Sequence, residues 1–477
     1  MRTLNFGGNI ELNPQTFYIP RTEQEVLEIL ERHPGRRIRC IGRLHSWSKA
    51  IEANDVLLDL RMLRHVTTSE SKGQPSVNVG AGCQIKRLLS ELERQKNWTL
   101  PSLGLITEQT VAGAVSTATH GSGRNSLCHY VMSVRLARYD TVTGRATITE
   151  ITGGDELRAA RCSLGCLGVI LSMQMQCRSA YSVEESFHEY SQLSEVVNSE
   201  EKFPLQQFFL IPWRWSYMAQ HRREVANQRS SFAWLYRCYR FLTLDVSMHL
   251  LILVMVRVIR VKALIRLILR HIITVFVIRD WFVVDRSSPQ LVMEHELFRH
   301  LELEIFVTRE RLAPAMQFVE QVLCVAGGTA HGIDDSFCTQ LSLVGLQEDL
   351  SRLAGIYCHH FPICIRKVLP DDALISMSSP GYFSANESPD SPWYAITFTC
   401  YATGSDREAF ETVGRFLSRS MAALFAARPH WGKLCYLQPK ELPTLYPQFD
   451  VFRRVCKEHD PNGCFHNDWT RQLLEHS

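Results

Sequence analysis

The chain has 477 residues, too many for a single hydrophobic core, so two or three domains are expected. Hydrophobic residues make up 45% and charged residues 21%, an ordinary globular composition without low-complexity tracts. A net charge of only +3 argues against a nucleic-acid partner, which would need a clustered basic surface. The 15 cysteines contain no CxxC pair and no regular spacing, which predicts reduced thiols in an intracellular protein. The N-terminal stretch has no apolar run of secretory length, so no secretory signal is expected.

In chain order, "TFYIP" leads into "RTEQEVLEILERH", where Thr22 starts a helix with Val26, Ile29 and Leu30 on one face. A short strand, "RIRCIG", stops at Gly42, and a glycine there implies a sharp bend or a close backbone approach. "DVLLDLRML" reads as a strand, and "SVNVGAGCQIKRLLSELERQ" as strand, glycine turn and helix. Residues 101–125 carry little side-chain bulk, so their amides can approach a ligand and cradle phosphate. "YVMSVRLARYDTVTGRATITEI" gives two strands turning at Thr143 and Gly144. "DELRAARCSLGCLGVILSMQMQC" gives a helix, a tight turn and an apolar strand.

From about 181 the chain becomes aromatic and longer in period, which predicts a helical start to a second domain. Residues 248–284 hold apolar runs of only seven residues, too short for the roughly eighteen of a spanning helix. Their arginines and Lys262 fall in stripes, which fits either a helix in a membrane interface with cations reaching headgroups or a buried helix with functional arginines. "HELFRHLELEIFVTRERLAPAMQFVEQVL" reads as a strand then a helix, with Glu302 and Glu304 on one strand face. Such a pair is a solvated edge or a catalytic couple, and the pattern alone favours the edge. In "YCHHFPIC" the cysteines read as core thiols and His359 and His360 as surface imidazoles; no second ligand pair lies nearby, so no metal site is expected.

Taken together, the turn Gly42-Arg43-Leu44-His45-Ser46, the run "GAVSTATHGSG", "GCLGVI" and the late "RPHWGK" resemble the aldonolactone oxidases, over nearly the whole chain. That resemblance implies an α+β fold of the vanillyl-alcohol oxidase type. A PCMH-type FAD-binding domain of two α+β subdomains would span 1–180 and an α+β cap 181–420, with 421–477 returning to complete the flavin site. It implies FAD as cofactor, joined covalently through His45 as in many members, with FMN the less favoured alternative. Arg43 and Leu44 stand where relatives often carry glycine. Gly42, Arg43, Leu44, His45 and Ser46 would wrap the pyrophosphate and ring edge. Gly113, Ser116, Thr117, His120 and Gly121 would meet the diphosphate and ring, and Gly165, Leu167, Gly168 and Val169 the adenine end.

Gly104 matches a position where dehydrogenase relatives carry alanine, so O2 should reach the flavin and hydrogen peroxide form. Glu302 would orient the substrate hydroxyl. Glu304 lies where some relatives have a basic residue, which leaves the division of labour between the two open. Arg366 would hold the alcohol, although Cys364 replaces the family's glutamate beside it. His430 is the expected proton acceptor, with Lys433 as a cationic donor. The implied reaction is oxidation of the C2 hydroxyl of an aldono-1,4-lactone, giving ascorbate or an analogue and H2O2. A polyol oxidase of the same fold, or a membrane-associated flavin-binding protein without turnover, are the alternatives. Relatives also imply peripheral association with endoplasmic reticulum or mitochondrial membranes.

Overall fold

The computed structural model describes residues 2–71, 73–226, 228–293, 297–381 and 388–475. A three-stranded parallel sheet in the order Thr16–Tyr18, Val56–Asp59, Ile38–Ile41 opens the fold, with helix Glu23–Arg32 as its crossover. Thr22 caps that helix through Glu25 N–H, and Val26, Ile29 and Leu30 are its buried face. A five-stranded antiparallel sheet follows, ordered Ala146–Ile151, Val131–Tyr139, Val169–Gln176, Gln74–Gly80 and Val66–Ser71. Both sheets and helix Ile85–Lys96 share one hydrophobic core.

A second, larger sheet begins at residue 182. The expectation of helices just after 181 is wrong: Ser182–Tyr190, Gln207–Ile211 and Ser216–Val225 are strands. Their aromatic residues are packed between sheet and helices, so aromatic density there reports burial rather than helical period. In this sheet Ile363–Leu369, Trp393–Cys400, Leu301–Thr308 and the short Arg428–Pro429 lie side by side. The C-terminus then folds back on the N-terminal sheets. Ile38 N–H bonds Cys464 O at 2.7 Å, and Asn467 Nδ2 reaches Lys49 O at 2.8 Å.

Residues 233–278 form two helical runs broken at Arg260, whose φ of 57° is left-handed. The first, Ala233–Ile259, widens into i→i+5 turns over Arg240–Ser247 and Met255–Ile259. It is long and apolar enough to cross a bilayer by length and composition, because it starts fifteen residues ahead of the segment read from sequence. Its inner face, Ile252, Met255 and Val256, packs on Phe187, Trp213 and Met218 of the large sheet, so it lies along the body. The cations of this region do not all point outward as expected. Lys262 donates to Gly355 O, Arg266 to Gly327 O at 2.9 Å and Arg257 to Tyr401 O at 3.0 Å. His359 and His360 are buried, not at the surface: His360 Nε2 accepts Tyr401 N–H at 3.0 Å, and His359 meets Tyr357 Oη at 3.1 Å.

Candidate active site

A single cavity of about 880 Å³ runs between the N-terminal sheets and the large sheet. Strand Leu301–Thr308 supplies two of its carboxylates, Glu302 and Glu304. Period-2 alternation sends Leu303 and Ile305 into the core behind, and turns Glu302 and Glu304 to the cavity. Glu304 is fully buried, and Glu302 is mostly so, which removes the solvated-edge reading. Antiparallel pairing sets Thr399 opposite Glu302 and Thr397 opposite Glu304. Thr397 Oγ1 donates to Glu304 at 2.8 Å.

On the other side, Arg428–Pro429 pairs with Phe306 and Ile305, and His430 N–H then bonds Glu304 O at 2.9 Å. That pairing, far away in sequence, delivers His430 and Lys433 to the carboxylates. Lys433 ion-pairs with Glu302 and lies 4.3 Å from the centre of the Trp47 ring. His300 Nε2 is 3.2 Å from Glu302. Burial alone would raise the Glu302 carboxyl; Lys433 and His300 outweigh it and hold it far below the usual range.

Glu304 stands between two imidazoles, with His120 Nε2 at 3.4 Å and His430 Nε2 at 4.0 Å. Burial opposes its charge, and these histidines and Lys433 more than offset that, so the carboxyl is held well below its ordinary value. His430 goes the other way: burial pushes it down to about 3, and it is neutral at pH 7. Its Nδ1 accepts Gly432 N–H at 2.9 Å, so the proton of the neutral ring sits on Nε2, facing Glu304. His120 Nδ1 lies 2.9 Å from Gly121 O, and its Nε2 faces Glu304.

The other end of the cavity is walled largely by backbone. Gly42, Gly113, Gly165 and Gly168 face it, together with Arg43, Leu44, His45, Ser46, Ser116 and Thr117. At Gly42 a Cβ would stand 2.1 Å from Thr110 Oγ1, which is why the strand must stop on glycine. Leu44 has a left-handed φ of 58°, a conformation that a glycine adopts freely and a leucine rarely. His45 lines the cavity and stacks on Phe6 with ring centres 5.2 Å apart. This bare-walled groove, joined to the acid–imidazole cluster, suits an elongated dinucleotide whose phosphates need main-chain amides and whose ring needs polar neighbours.

Of the residues read from sequence, Glu302, Glu304, Arg366, His430, Lys433 and His120 meet at one end. Leu167 and Val169 are packed in the N-terminal core, and Gly104 and Gly121 also lie off the cavity wall. A Cβ on Gly104 would meet Thr119 Cγ2 at 2.8 Å, and Thr119 does line the cavity. Sequence reading missed Thr397 and Thr399, which the alternation in "WYAITFTC" could have flagged as partners for the two glutamates. It also missed Gln207, whose Oε1 accepts Arg366 Nε–H at 3.0 Å.

The comparisons with known proteins agree with this geometry. A D-arabinono-1,4-lactone oxidase family model matches residues 174–473, and an FAD binding domain model matches residues 14–147. A long-chain alcohol oxidase from an uncultured marine euryarchaeote is 53% identical over 99% of this chain and 96% of its own. An L-gulono-1,4-lactone dehydrogenase from Mycobacterium tuberculosis is 24% identical over 98% of both chains. Among solved structures, a solvent-stable cholesterol oxidase superposes with a TM-score of 0.69 at 14% identity, over 99% of this chain and 97% of that one. The cofactor is FAD, in a PCMH-type FAD-binding fold. The chain belongs to the D-arabinono-1,4-lactone oxidase family of FAD-dependent oxidoreductases.

Proposed function

We propose that this chain oxidises the hydroxyl group of an alcohol bearing a long apolar tail, with O2 as electron acceptor. The observation that carries this is the apolar share of the wall: Phe187, Phe209, Ile211, Met218, Leu244 and Met248 line the cavity, and the amides of Gln207 and Gln220 on the same strands are paired with each other. The name of the 53%-identical relative points the same way.

FAD, when bound, supplies the acceptor for the hydride from the carbinol carbon. The chain handles the proton and the charge. Glu304, buried in the cavity between His120, His430 and Thr397, takes the hydroxyl proton. A carboxylate this acidic suffices, because the hydroxyl itself becomes strongly acidic as its carbon loses hydride. His430, expected from sequence to be the base, carries its proton on the facing nitrogen and so donates to the substrate oxygen instead. Lys433, Glu302 and His300 form a fixed polar wall that orients the hydroxyl.

A second reading, oxidation of an aldono-1,4-lactone at C2, keeps the support of the family and of the polar wall formed by Glu302, Arg366 and Lys433. Initial rates of O2 consumption separate the two. Under the first reading kcat/KM for 1-dodecanol exceeds that for gulono-, galactono- and arabinono-lactone by about 100-fold or more, as a largely unpaired sugar in an apolar pocket would lose. Turnover of a lactone with none of the alcohol would reverse the assignment. Covalent attachment through His45 belongs to the same proposal and is read by flavin fluorescence staying with the denatured polypeptide. Peripheral association with an intracellular membrane, through residues 232–282, is also part of it; the exposed apolar side chains there support it.

A further inference from the structure

The lining of the cavity also includes Met218, Met248 and Phe241, together with Arg229, Arg237 and Arg286. Phe241 is 41% exposed, and the side chains of Arg229, Arg237 and Arg286 are 45%, 39% and 62% exposed. Residues that line a cavity and also meet solvent mark its mouth.

This mouth opens inside the largest apolar surface of the chain. Fifteen of the twenty-three exposed large hydrophobic side chains among the described residues fall between 232 and 282. Patches of that extent mark a protein or membrane contact. The charge around it favours a membrane: residues 229–282 hold nine Arg or Lys against two Asp, in a chain whose net charge is only +3. The cations are also sorted by position. Lys262, Arg266 and Arg257 are docked on main-chain carbonyls of the body, Arg229 and Arg237 pair with Asp285 and Arg279 with Glu189, while Arg260 and Arg270 are exposed beside the apolar face. An apolar face bordered by basic side chains is what an interfacial helix presents to anionic lipid. The wall between this face and the cavity is a single helix. On the helix Ala233–Ile259, Leu244 and Met248 line the cavity, while Leu242, Leu250 and Val254 are exposed.

We propose that residues 232–282 rest in the surface of an anionic bilayer with the mouth beside Phe241 opening into lipid, so that substrate passes sideways from membrane to Glu304. Each methylene prefers lipid to water about fourfold, so a long-chain alcohol is concentrated where this mouth lies. The entry route rests on the apolar-alcohol reading of the site; the docking does not.

The test uses full-length, FAD-loaded protein with phosphatidylcholine vesicles, with and without phosphatidylserine, and the variant Val258→Glu/Val275→Glu. Those two residues are 73% and 76% exposed and lie off the cavity wall, so folding and flavin content should be unchanged. The wild type floats with the anionic vesicles, and flotation of the variant falls about tenfold or more. Turnover of 1-dodecanol carried in the vesicles falls with it, whereas 1-butanol in solution is oxidised at the wild-type rate. A wild type that stays unbound with both vesicle types, or a variant that floats equally well, overturns the docking. A non-floating variant that still oxidises vesicle-borne dodecanol at full rate overturns the sideways entry alone. A wild type that floats but oxidises neither alcohol removes the substrate reading and the entry route together, and leaves the docking surface standing.

Discussion

Glu302 and Glu304 are two residues apart and share a strand face, yet their surroundings assign them different work. Glu302 is locked to Lys433 and His300, while Glu304 has its charge held in place by imidazoles and one threonine hydroxyl. Glu304→Gln should therefore lower kcat about 10²–10⁴-fold with flavin content intact, the size of a lost proton acceptor. Glu302→Gln should act mainly on KM, by about tenfold, because it loosens the orienting wall and leaves Lys433 unpaired. Anaerobic flavin bleaching against substrate concentration distinguishes the two. Equal losses in kcat would show that the pair works as a unit. Gly104 makes a second residue-scale case. Gly104→Ala pushes a methyl against Thr119, and reoxidation by O2 should slow about tenfold while anaerobic reduction is unchanged; stopped-flow measurement of both half-reactions checks this.

At the scale of elements, the site depends on a two-residue strand. Arg428–Pro429 sets the register that brings His430 to Glu304, and Arg428 fixes the strand in place. Its fully buried guanidinium donates to Ser379 O at 2.6 Å, to Met377 O and to Leu445 O, and lies 4.4 Å from the rings of both Trp393 and Tyr446. Arg428→Ala should cost about 3 kcal/mol or more, leaving several carbonyls unpaired around a cavity. Arg428→Lys should recover little, since an ammonium lacks the planar fork whose three nitrogens reach these carbonyls and which lies against both rings. Melting temperature and flavin retention, falling together, are the readout. Nothing in "RPHWGK" indicates which strand it will join, so the sequence could nominate His430 and Lys433 only through the family resemblance. The alternation of Leu301–Thr308, by contrast, made the shared face of Glu302 and Glu304 legible directly. The inward docking of Lys262 and Arg266 was not legible, because their carbonyl partners lie some 60 to 90 positions away and on other elements.

Over the whole molecule, the resemblance located the two-part architecture and the return of the C-terminus, because glycine turns and a late basic motif survive as local patterns. What it could not convey is how much ionisable chemistry the fold buries. His221, His359, His360, His430, His459 and His466 are all buried, and burial pushes every one below its ordinary value, to about 3 for His430 and about 4 for His221, His360 and His466. Below about pH 6.5 the unfolded chain binds protons at these positions and the folded chain does not, so folding loses stability as pH falls toward the folded values. Each histidine contributes up to about 1.4 kcal/mol per pH unit in that window. The depressed carboxyls Glu302 and Glu304 act in the same sense, but only below their unfolded value of about 4.3. Glu52, Glu200, Glu320, Asp371 and Asp460, raised by burial, oppose the loss, and these five are fewer than the six histidines. Stability should therefore be level above pH 7 and decline already between pH 6.5 and 5, before any glutamate of ordinary affinity titrates. Scanning calorimetry of the FAD-loaded protein at pH 7.5, 6.0 and 5.0 measures this, and a melting temperature that held constant down to pH 5 would mean that these imidazoles reach water in the folded chain.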